Sequence, residues 1–183
     1  MPKQNIIVCA VDGSDASKTA AKWAANTAVK RGIPLRLVSS YSMPQFLYAE
    51  GMVPPQELYE DLEAETLEKI EEAKKVAVDF VPDVDVSHQI EEGSPIDMLL
   101  DLSEQCTMIV MGSRGLGGLS GMVMGSVSAA VVSHASCPVV VVREDNHVTE
   151  ETKYGPVVVG VDGSGVSQKA IENAFKEADA RGA

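Results

Sequence analysis

The chain has 183 residues, of which 45% are apolar, and carries a formal net charge of −12. This composition suffices for the core of one domain of ordinary size, with some length left over. The negative charge argues against sequence-independent binding of nucleic acid and against binding to anionic lipid, because both need a surface rich in lysine and arginine.

Alternating apolar runs and amphipathic segments predict an α/β protein. The predicted strands cover Asn5–Val11, Leu35–Tyr41, Asp83–Ile90, Thr107–Met111 and Pro138–Arg143. The first, fourth and fifth are nearly continuous in Val, Ile and Met, as is typical of strands covered on both faces, whereas the third alternates and fits a sheet edge. The four intervening helices have start signals at Ser14, Pro54-Pro55, Ser94-Pro95 and Ser126. This alternation predicts an open, doubly wound parallel sheet with right-handed crossovers.

An internal repeat follows this first unit. Val157–Ala183 echoes Ile7–Ile33 at a constant offset, and both copies contain the sequence VDGS. We therefore predict a domain over residues 1–145, a polar linker over 146–154 and the start of a second, truncated domain over 155–183. A lone strand and helix cannot bury their apolar faces, so we expect a piece of a longer tandem protein, or a segment that packs on another chain.

The N-terminal sequence and the cysteines indicate the cellular compartment. The first residues, MPKQNIIVCAVDGSD, have neither the apolar stretch nor the cleavage site of a signal peptide, and no window approaches the ~20 apolar residues of a membrane helix. Cys9, Cys106 and Cys137 are isolated in the sequence and each lies in or beside an apolar run. We read them as buried free thiols of a cytoplasmic protein.

The loop after the first strand contains DGSDASKT, which ends in the Lys-Thr pair of a P-loop. Walker A spacing would place glycines at Asp12 and Ser17, so the P-loop is excluded and Lys18 is interpreted as an exposed helix residue. Two roles remain open for Asp12. Its carboxylate could accept hydrogen bonds from ribose hydroxyls, or it could stabilise the turn into the first helix.

The loop after the fourth strand is rich in glycine. Gly112 and Gly115 follow the strand directly, and Gly125-Ser126 comes nine residues later, where a helix begins. Glycines let backbone N–H groups approach an anion, and a helix N-terminus adds partial positive charge. With the hydroxyls of Ser126 and Ser128 and the charge of Arg114, this segment predicts a diphosphate or triphosphate ligand. A flexible loop with a Gly-Ser cap is the alternative, which leaves Gly112 and Gly115 unexplained.

Gly112, Gly115, Gly125 and Ser126 match the pattern G-x2-G-x9-G-[ST], and with VDGS and the later SCPVVVVR the chain resembles the ATP-binding universal stress proteins. The resemblance implies a Rossmann-like, five-stranded parallel sheet in the order 3-2-1-4-5. It also implies bound ATP, with Mg²⁺ as a companion, and a homodimer or tandem pseudo-dimer joined through the last strand.

The same resemblance implies roles for single residues. Asp12 would hold the ribose, the backbone near Val38–Ser40 would lie beside adenine, and the phosphates would lie at the glycine loop and the following helix. The expected nucleotide site consists of Ala10, Val11, Asp12, Val38, Ser39, Met111, Gly112, Arg114, Gly115, Gly125, Ser126, Val127 and Ser128. Asp162 of the second copy has no matching glycine loop before Ala183, and we assign it no complete site.

We find no positioned general base, P-loop lysine or metal-binding carboxylate pair in the sequence, and its histidines and cysteines lack metal-ligand spacing. We therefore expect ATP to serve as a regulatory ligand in a stress response, with at most slow hydrolysis or autophosphorylation. A dimeric adaptor of the same fold that binds no nucleotide is the alternative. An adenylate-forming enzyme is a third, for which the sequence offers no reactive partner group.

Overall fold

The computed structural model describes residues 4–44, 53–116, 124–143 and 156–182. The chain divides into two units, Met1–Asn146 and His147–Ala183. In the first unit strands and helices alternate as β1 Ile7–Ala10, α1 Asp15–Arg31, β2 Leu35–Tyr41, α2 Gln56–Phe80, β3 Val86–Glu92, α3 Pro95–Ser103, β4 Met108–Gly112, α4 Ser126–His134 and β5 Val139–Val142. The second unit contains α5, Gly165–Arg181.

The strands form one parallel sheet in the order β3-β2-β1-β4-β5, which confirms the predicted order. Ile7 of β1 pairs with Leu35 on one side and with Met108 on the other. The chain moves outward from β1 through β2 to β3, and then crosses back to β4 on the other side of β1. The order therefore reverses between β1 and β4, and the crevice at their carboxyl ends is where open α/β sheets bind ligands.

Helices cover both faces of the sheet, as the nearly continuous apolar strands predict. Successive side chains of a strand point to opposite faces. Ile7 and Cys9 therefore join a core with the helices α1 and α2, while Val8 joins a second core with α3 and α4. The alternating strand β3 lies at the edge of the sheet, as expected.

Helix α1 packs closely on the sheet because its buried face is built from alanines. A Cβ placed on Gly112 of β4 would lie 2.9 Å from the carbonyl carbon and the Cβ of Ala16, and 3.0 Å from the amide nitrogen of Ser17. The helix backbone thus occupies the space that a side chain on Gly112 would need. Gly112 has a packing role in the fold, whether or not a ligand is bound.

The predicted boundaries of the strands in the first unit differ from the observed ones by at most three residues. The largest difference is at β3, which begins at Val86 instead of Asp83 because residues 82 and 83 form a turn. This turn is closed by a hydrogen bond of 3.2 Å from the Val84 amide to the Val81 carbonyl.

In the second unit the expected helix is present, but the expected strand over Val157–Val161 is not. Residues 156–161 belong to no strand, and Val158 is 90% exposed. A strand needs a hydrogen-bonded neighbour, and none pairs with this segment among the described residues. Helix α5 forms because it carries its own caps, Ser164 at the start and Gly182 in the left-handed conformation at the end.

The linker predicted over residues 146–154 lies outside the described residues, and so do residues 117–123 of the glycine loop. Within the described ranges, each helix is too short or too polar to cross a bilayer.

Candidate functional site

A cavity of about 610 Å³ opens at the carboxyl ends of β1, β2 and β4. This volume falls within the usual range of small-molecule sites, about 300–1,000 Å³. The loop after β1, the end of β2, the end of β4 and the first turn of α4 all contribute to its wall. The thirteen residues of the expected site all line it: Ala10, Val11, Asp12, Val38, Ser39, Met111, Gly112, Arg114, Gly115, Gly125, Ser126, Val127 and Ser128.

Further lining residues come from helices and loops and were missed in the sequence. They are Ser17 of α1, Lys69 of α2, Pro95, Met98 and Leu99 of α3, and the loop residues Ser42 and Leu116. Pro95 carried a usable signal, because in a parallel α/β sheet each helix starts at the edge where the preceding strand ends. The sequence pattern places Met98 and Leu99 in the core and Lys69 on a solvent-exposed helix face, so it does not indicate a role at a cavity for any of them.

The two oxygens of the Asp12 carboxylate have different surroundings. Oδ1 accepts hydrogen bonds from the amide nitrogen of Ser14 at 3.0 Å and from its hydroxyl at 2.6 Å. Ser14 Oγ in turn accepts from the amide of Ser17 at 3.2 Å and caps α1. Oδ2 faces the glycine loop, because a Cβ on Gly115 would overlap it. The turn-stabilising role is therefore present at Oδ1, and Oδ2 is left facing the cavity.

Gly125 joins the glycine loop to α4. Its amide donates to the carbonyl of Ser113 at 2.8 Å, which holds the end of the loop against the end of β4. Its φ is −74°, and a Cβ there would lie no closer than 3.6 Å to its nearest neighbour, the Ser113 carbonyl oxygen. Neither the backbone conformation nor the packing of the described residues requires glycine at this position.

The first turn of α4 presents to the cavity backbone donors that have no acceptor among the described residues. The N–H groups of the first turn of any helix lack an intrahelical acceptor, and Gly125 at the N-cap has no side chain to bind them. The first bond within this helix is made by the Ala129 amide, which donates to the Gly125 carbonyl at 2.9 Å. Together with the partial positive charge of the helix end, these donors suit an anion.

The Ser128 hydroxyl, which the sequence predicts to face a phosphate, has a protein partner in this structure. It donates a hydrogen bond of 2.9 Å to the carbonyl oxygen of Gly112, and Ser128 is 4% exposed. This proton is committed to tying α4 to the end of β4. What Ser128 offers to an anion is its backbone N–H.

The lysines near the first loop have acidic partners on or beside α2. Lys18 Nζ lies 2.8 Å from Glu72 Oε2, and this hydrogen bond raises the pKa of the lysine. Lys18 is therefore not a phosphate-binding lysine of a P-loop, in agreement with the sequence. Lys69 Nζ lies 2.7 Å from Glu65 Oε1 and lowers the pKa of that carboxyl by its hydrogen bond, while its side chain also borders the cavity.

Acidic and nucleophilic groups are sparse at the site. Asp12 is the single acidic side chain among the described residues that line the cavity. In the described ranges no group of three or more His, Cys, Asp or Glu could hold a metal ion. The ring of His134 contacts the Ala130 carbonyl at 2.9 Å in the last turn of α4, which leaves it a structural role at the opposite end of that helix.

Comparisons with known proteins bear on this geometry. The sequence profile of the universal stress protein family matches residues 4–143. Universal stress protein Rv2005c of Mycobacterium tuberculosis (strain ATCC 25618 / H37Rv) is 35% identical over 185 residues, which cover 98% of this chain and 62% of that protein. The chain spans about three fifths of the length of the curated relatives it matches.

Solved structures share the fold. A universal stress protein from Archaeoglobus fulgidus DSM 4304 matches 97% of this chain and 64% of its own with a TM-score of 0.72 and 19% identity. The universal stress protein from Archaeoglobus fulgidus in complex with dAMP matches 78% of this chain and 99% of its own, with a TM-score of 0.55 and 24% identity.

Proposed function

The chain belongs to the universal stress protein family, and from this premise we propose that it binds ATP, accompanied by Mg²⁺, in the cavity at the carboxyl ends of β1 and β4. The observation that carries the proposal is the uncapped first turn of α4, which opens onto the same cavity as the Asp12 carboxylate. The complex of an Archaeoglobus fulgidus family member with dAMP supports an adenine nucleotide as the ligand.

Each part of the nucleotide has a matching part of the cavity. The adenine lies beside Val38 and Ser39 at the end of β2, where the cavity wall is largely apolar. The ribose hydroxyls donate to Oδ2 of Asp12, since Oδ1 is held by Ser14. The phosphates lie between Gly115 and Gly125, where the N–H groups of the first turn of α4 bind them.

The charge of a triphosphate is balanced by the helix end and by two cations that line the cavity, Arg114 and Lys69. Mg²⁺ enters with the nucleotide, bound to its phosphate oxygens. Asp12, the single acidic lining residue in the described part of the chain, is engaged by the turn and the ribose and does not serve as a dedicated metal ligand.

We propose that the nucleotide is a regulatory ligand in a stress response rather than a fast-turnover substrate. Rapid phosphoryl transfer uses a residue that positions the nucleophile, together with metal-binding carboxylates. Among the described lining residues Asp12 is the one candidate base, and one of its oxygens is already bound by the Ser14 turn. Hydrolysis or autophosphorylation at this site is therefore slow.

We also propose that the protein is cytoplasmic and that its first unit dimerises through β5. Within the described residues β5 pairs with β4 alone, so its other edge presents Val139–Val142 with unpaired backbone groups. Such an edge invites a further strand. The partner is the β5 of a second copy, or that of a full second domain of which residues 155–183 are the start. Light scattering on the purified chain distinguishes a dimer from a monomer.

The proposed function is tested by releasing bound small molecules from freshly purified protein by denaturation and identifying them by mass spectrometry. Adenine nucleotide near one per chain is the expected result, and its ratio of ATP to ADP reports turnover. The matched control is Gly125→Ser, whose side chain would cap α4 in place of the phosphates. If neither protein retains nucleotide and the wild type does not bind Mg-ATP on titration, the adaptor alternative takes the place of this proposal.

A further inference from the structure

Two cysteines that are 31 residues apart in the sequence meet at the edge of the sheet opposite the cavity. The Sγ atoms of Cys106 and Cys137 lie 3.6 Å apart. Cys106 comes two residues before β4 and Cys137 two residues before β5, so both lie at the amino ends of neighbouring strands. The sequence predicts three isolated thiols, and the parallel pairing of β4 with β5 brings two of them together.

We propose that Cys106 and Cys137 are a peroxide-sensitive thiol pair, which hydrogen peroxide oxidises to an intramolecular disulfide. The sulfurs need to approach from 3.6 Å to about 2.05 Å, the length of a disulfide bond. Both cysteines lie in short connections outside the helices and strands. Rotation of the side chains and small shifts of these connections therefore suffice, and the sheet need not be disturbed.

The two thiols differ in access to solvent, and this difference sets their order of reaction. Cys137 is partly exposed, whereas Cys106 is 1% exposed and packs in the core beneath α3 and α4. The hydrogen bond with Cys137 and burial raise the pKa of the Cys106 thiol, which keeps it protonated. Cys137 is therefore the sulfur that meets the oxidant, and Cys106 is the one that resolves the product.

The reaction is balanced with one molecule of hydrogen peroxide. The Cys137 sulfur attacks a peroxide oxygen, the O–O bond breaks, and the leaving hydroxide takes the thiol proton as water. Cys137 is then a sulfenic acid. The Cys106 sulfur attacks the sulfenic sulfur, the S–O bond breaks, and the hydroxyl leaves with the Cys106 proton as a second water. Two electrons pass from the two thiols to the peroxide.

The disulfide would close a loop that contains β4, the glycine loop and α4, because all three lie between residues 106 and 137. It would join the amino-terminal sides of β4 and β5, while every residue of the proposed nucleotide site lies at the other edge of the sheet. Oxidation is therefore independent of the proposed nucleotide binding, and either can fail without the other.

The test uses the intact chain, treated with hydrogen peroxide, denatured and alkylated with N-ethylmaleimide. We expect the number of alkylated thiols to fall from three to one, with Cys9 remaining, and the unalkylated protein to lose two hydrogens in mass. A proteolytic fragment that joins Cys106 to Cys137 and is split by dithiothreitol identifies the bond. Cys9 is the internal control, since its side chain is fully buried and its sulfur lies against the Ala10 carbonyl oxygen instead of a second thiol.

Two variants separate the steps. Cys106→Ala removes the resolving thiol, so Cys137 should accumulate as a sulfenic acid that dimedone traps, whereas Cys9→Ala should behave as the wild type. The proposal is overturned if three thiols persist in excess peroxide. It is equally overturned if Cys137 becomes sulfinic acid while Cys106 is still alkylated, or if the bond forms between two chains.

Discussion

Oδ2 of Asp12 occupies the place that a side chain on Gly115 would need. The loop after β1 and the loop after β4 therefore touch through one carboxylate oxygen and one missing side chain, although these residues are about a hundred positions apart in the sequence. This contact makes the two loops a single wall of the cavity. A side chain at residue 115 would therefore require the Asp12 carboxylate to shift, before any ligand is considered.

Two other glycines of the same motif should respond differently to substitution. Gly112→Ala should lower the free energy of unfolding by about 1–3 kcal/mol, the usual cost of overpacking a core. The new Cβ would overlap the backbone of Ala16, so α1 would have to shift away from β4. Gly125→Ser should leave stability within about 0.5 kcal/mol or raise it, since serine is a preferred N-cap and, among the described residues other than its chain neighbours, no heavy atom lies closer than 3.6 Å to the added Cβ. Urea denaturation of both variants checks the contrast, and equal stability of the two would contradict it.

The two proposed duties of Asp12 can be separated by substitution. Asp12→Asn keeps an acceptor for the Ser14 turn but offers the ribose an uncharged group, so ATP affinity should fall about tenfold or more, as for loss of a hydrogen bond to a charged partner. Ser14→Ala removes the cap of α1 and should cost about 1 kcal/mol of stability while changing affinity less than about threefold. Calorimetric titration and thermal unfolding of both variants provide the measurement. The reverse pattern would mean that Asp12 serves the turn alone.

Ser128→Ala tests whether the phosphate contact is made by the backbone or by the hydroxyl. The hydroxyl donates to the Gly112 carbonyl, so its removal should destabilise the fold by about 1 kcal/mol. The N–H of Ser128 is unaffected, and ATP affinity should therefore remain within about threefold of the wild type. A large loss of affinity without loss of stability would show that the hydroxyl turns toward the nucleotide.

The turn that starts α5 should resist acid. Oδ1 of Asp162 accepts from the Ser164 amide at 2.9 Å and the Ser167 hydroxyl at 3.0 Å, and hydrogen bonds from Ser164 and then Ser167 lower the pKa of Asp162 to about 2. A lowered folded-state pKa stabilises the turn above the ordinary value of about 3.9, and this contribution is lost as the pH falls through about 2.

NMR titration of the Asp162 carboxyl carbon should therefore show a midpoint near pH 2. The Ser164 amide proton should shift with the same midpoint, because it is bound to the titrating oxygen. Ser167→Ala removes one donor and should move the midpoint upward. A wild-type midpoint near the ordinary value of about 3.9 would mean that the turn does not form in solution.

The sequence predicts the sheet and the glycine loop that borders the cavity well, because the residues of each segment are enough to identify both. Leu35–Tyr41 matches β2 at both ends, and Ser14 caps α1 as expected. The contribution of α2 to the wall was not predictable, since the contact of Lys69 with the loop at Gly13 depends on how α2 lies across α1 and the sheet.

The same limit applies to the two unpredicted pairs of atoms. The approach of Cys106 to Cys137, and the hydrogen bond from Ser128 to Gly112, depend on the register of neighbouring strands and on the placement of α4. The segment Val157–Val161 was expected to form a strand and does not form one. Its residues suit a strand, but a strand also needs a partner that these residues do not specify.

Calorimetric titration of the nucleotide-free chain with Mg-ATP, beside the Gly125→Ser variant, determines whether ATP binds against the first turn of α4. We expect one nucleotide per wild-type chain, and an affinity at least about tenfold weaker in the variant, because the new hydroxyl would accept the N–H groups that bind phosphate. Equal affinity in a folded Gly125→Ser chain, or no binding by the wild type, would show that ATP does not bind against this turn.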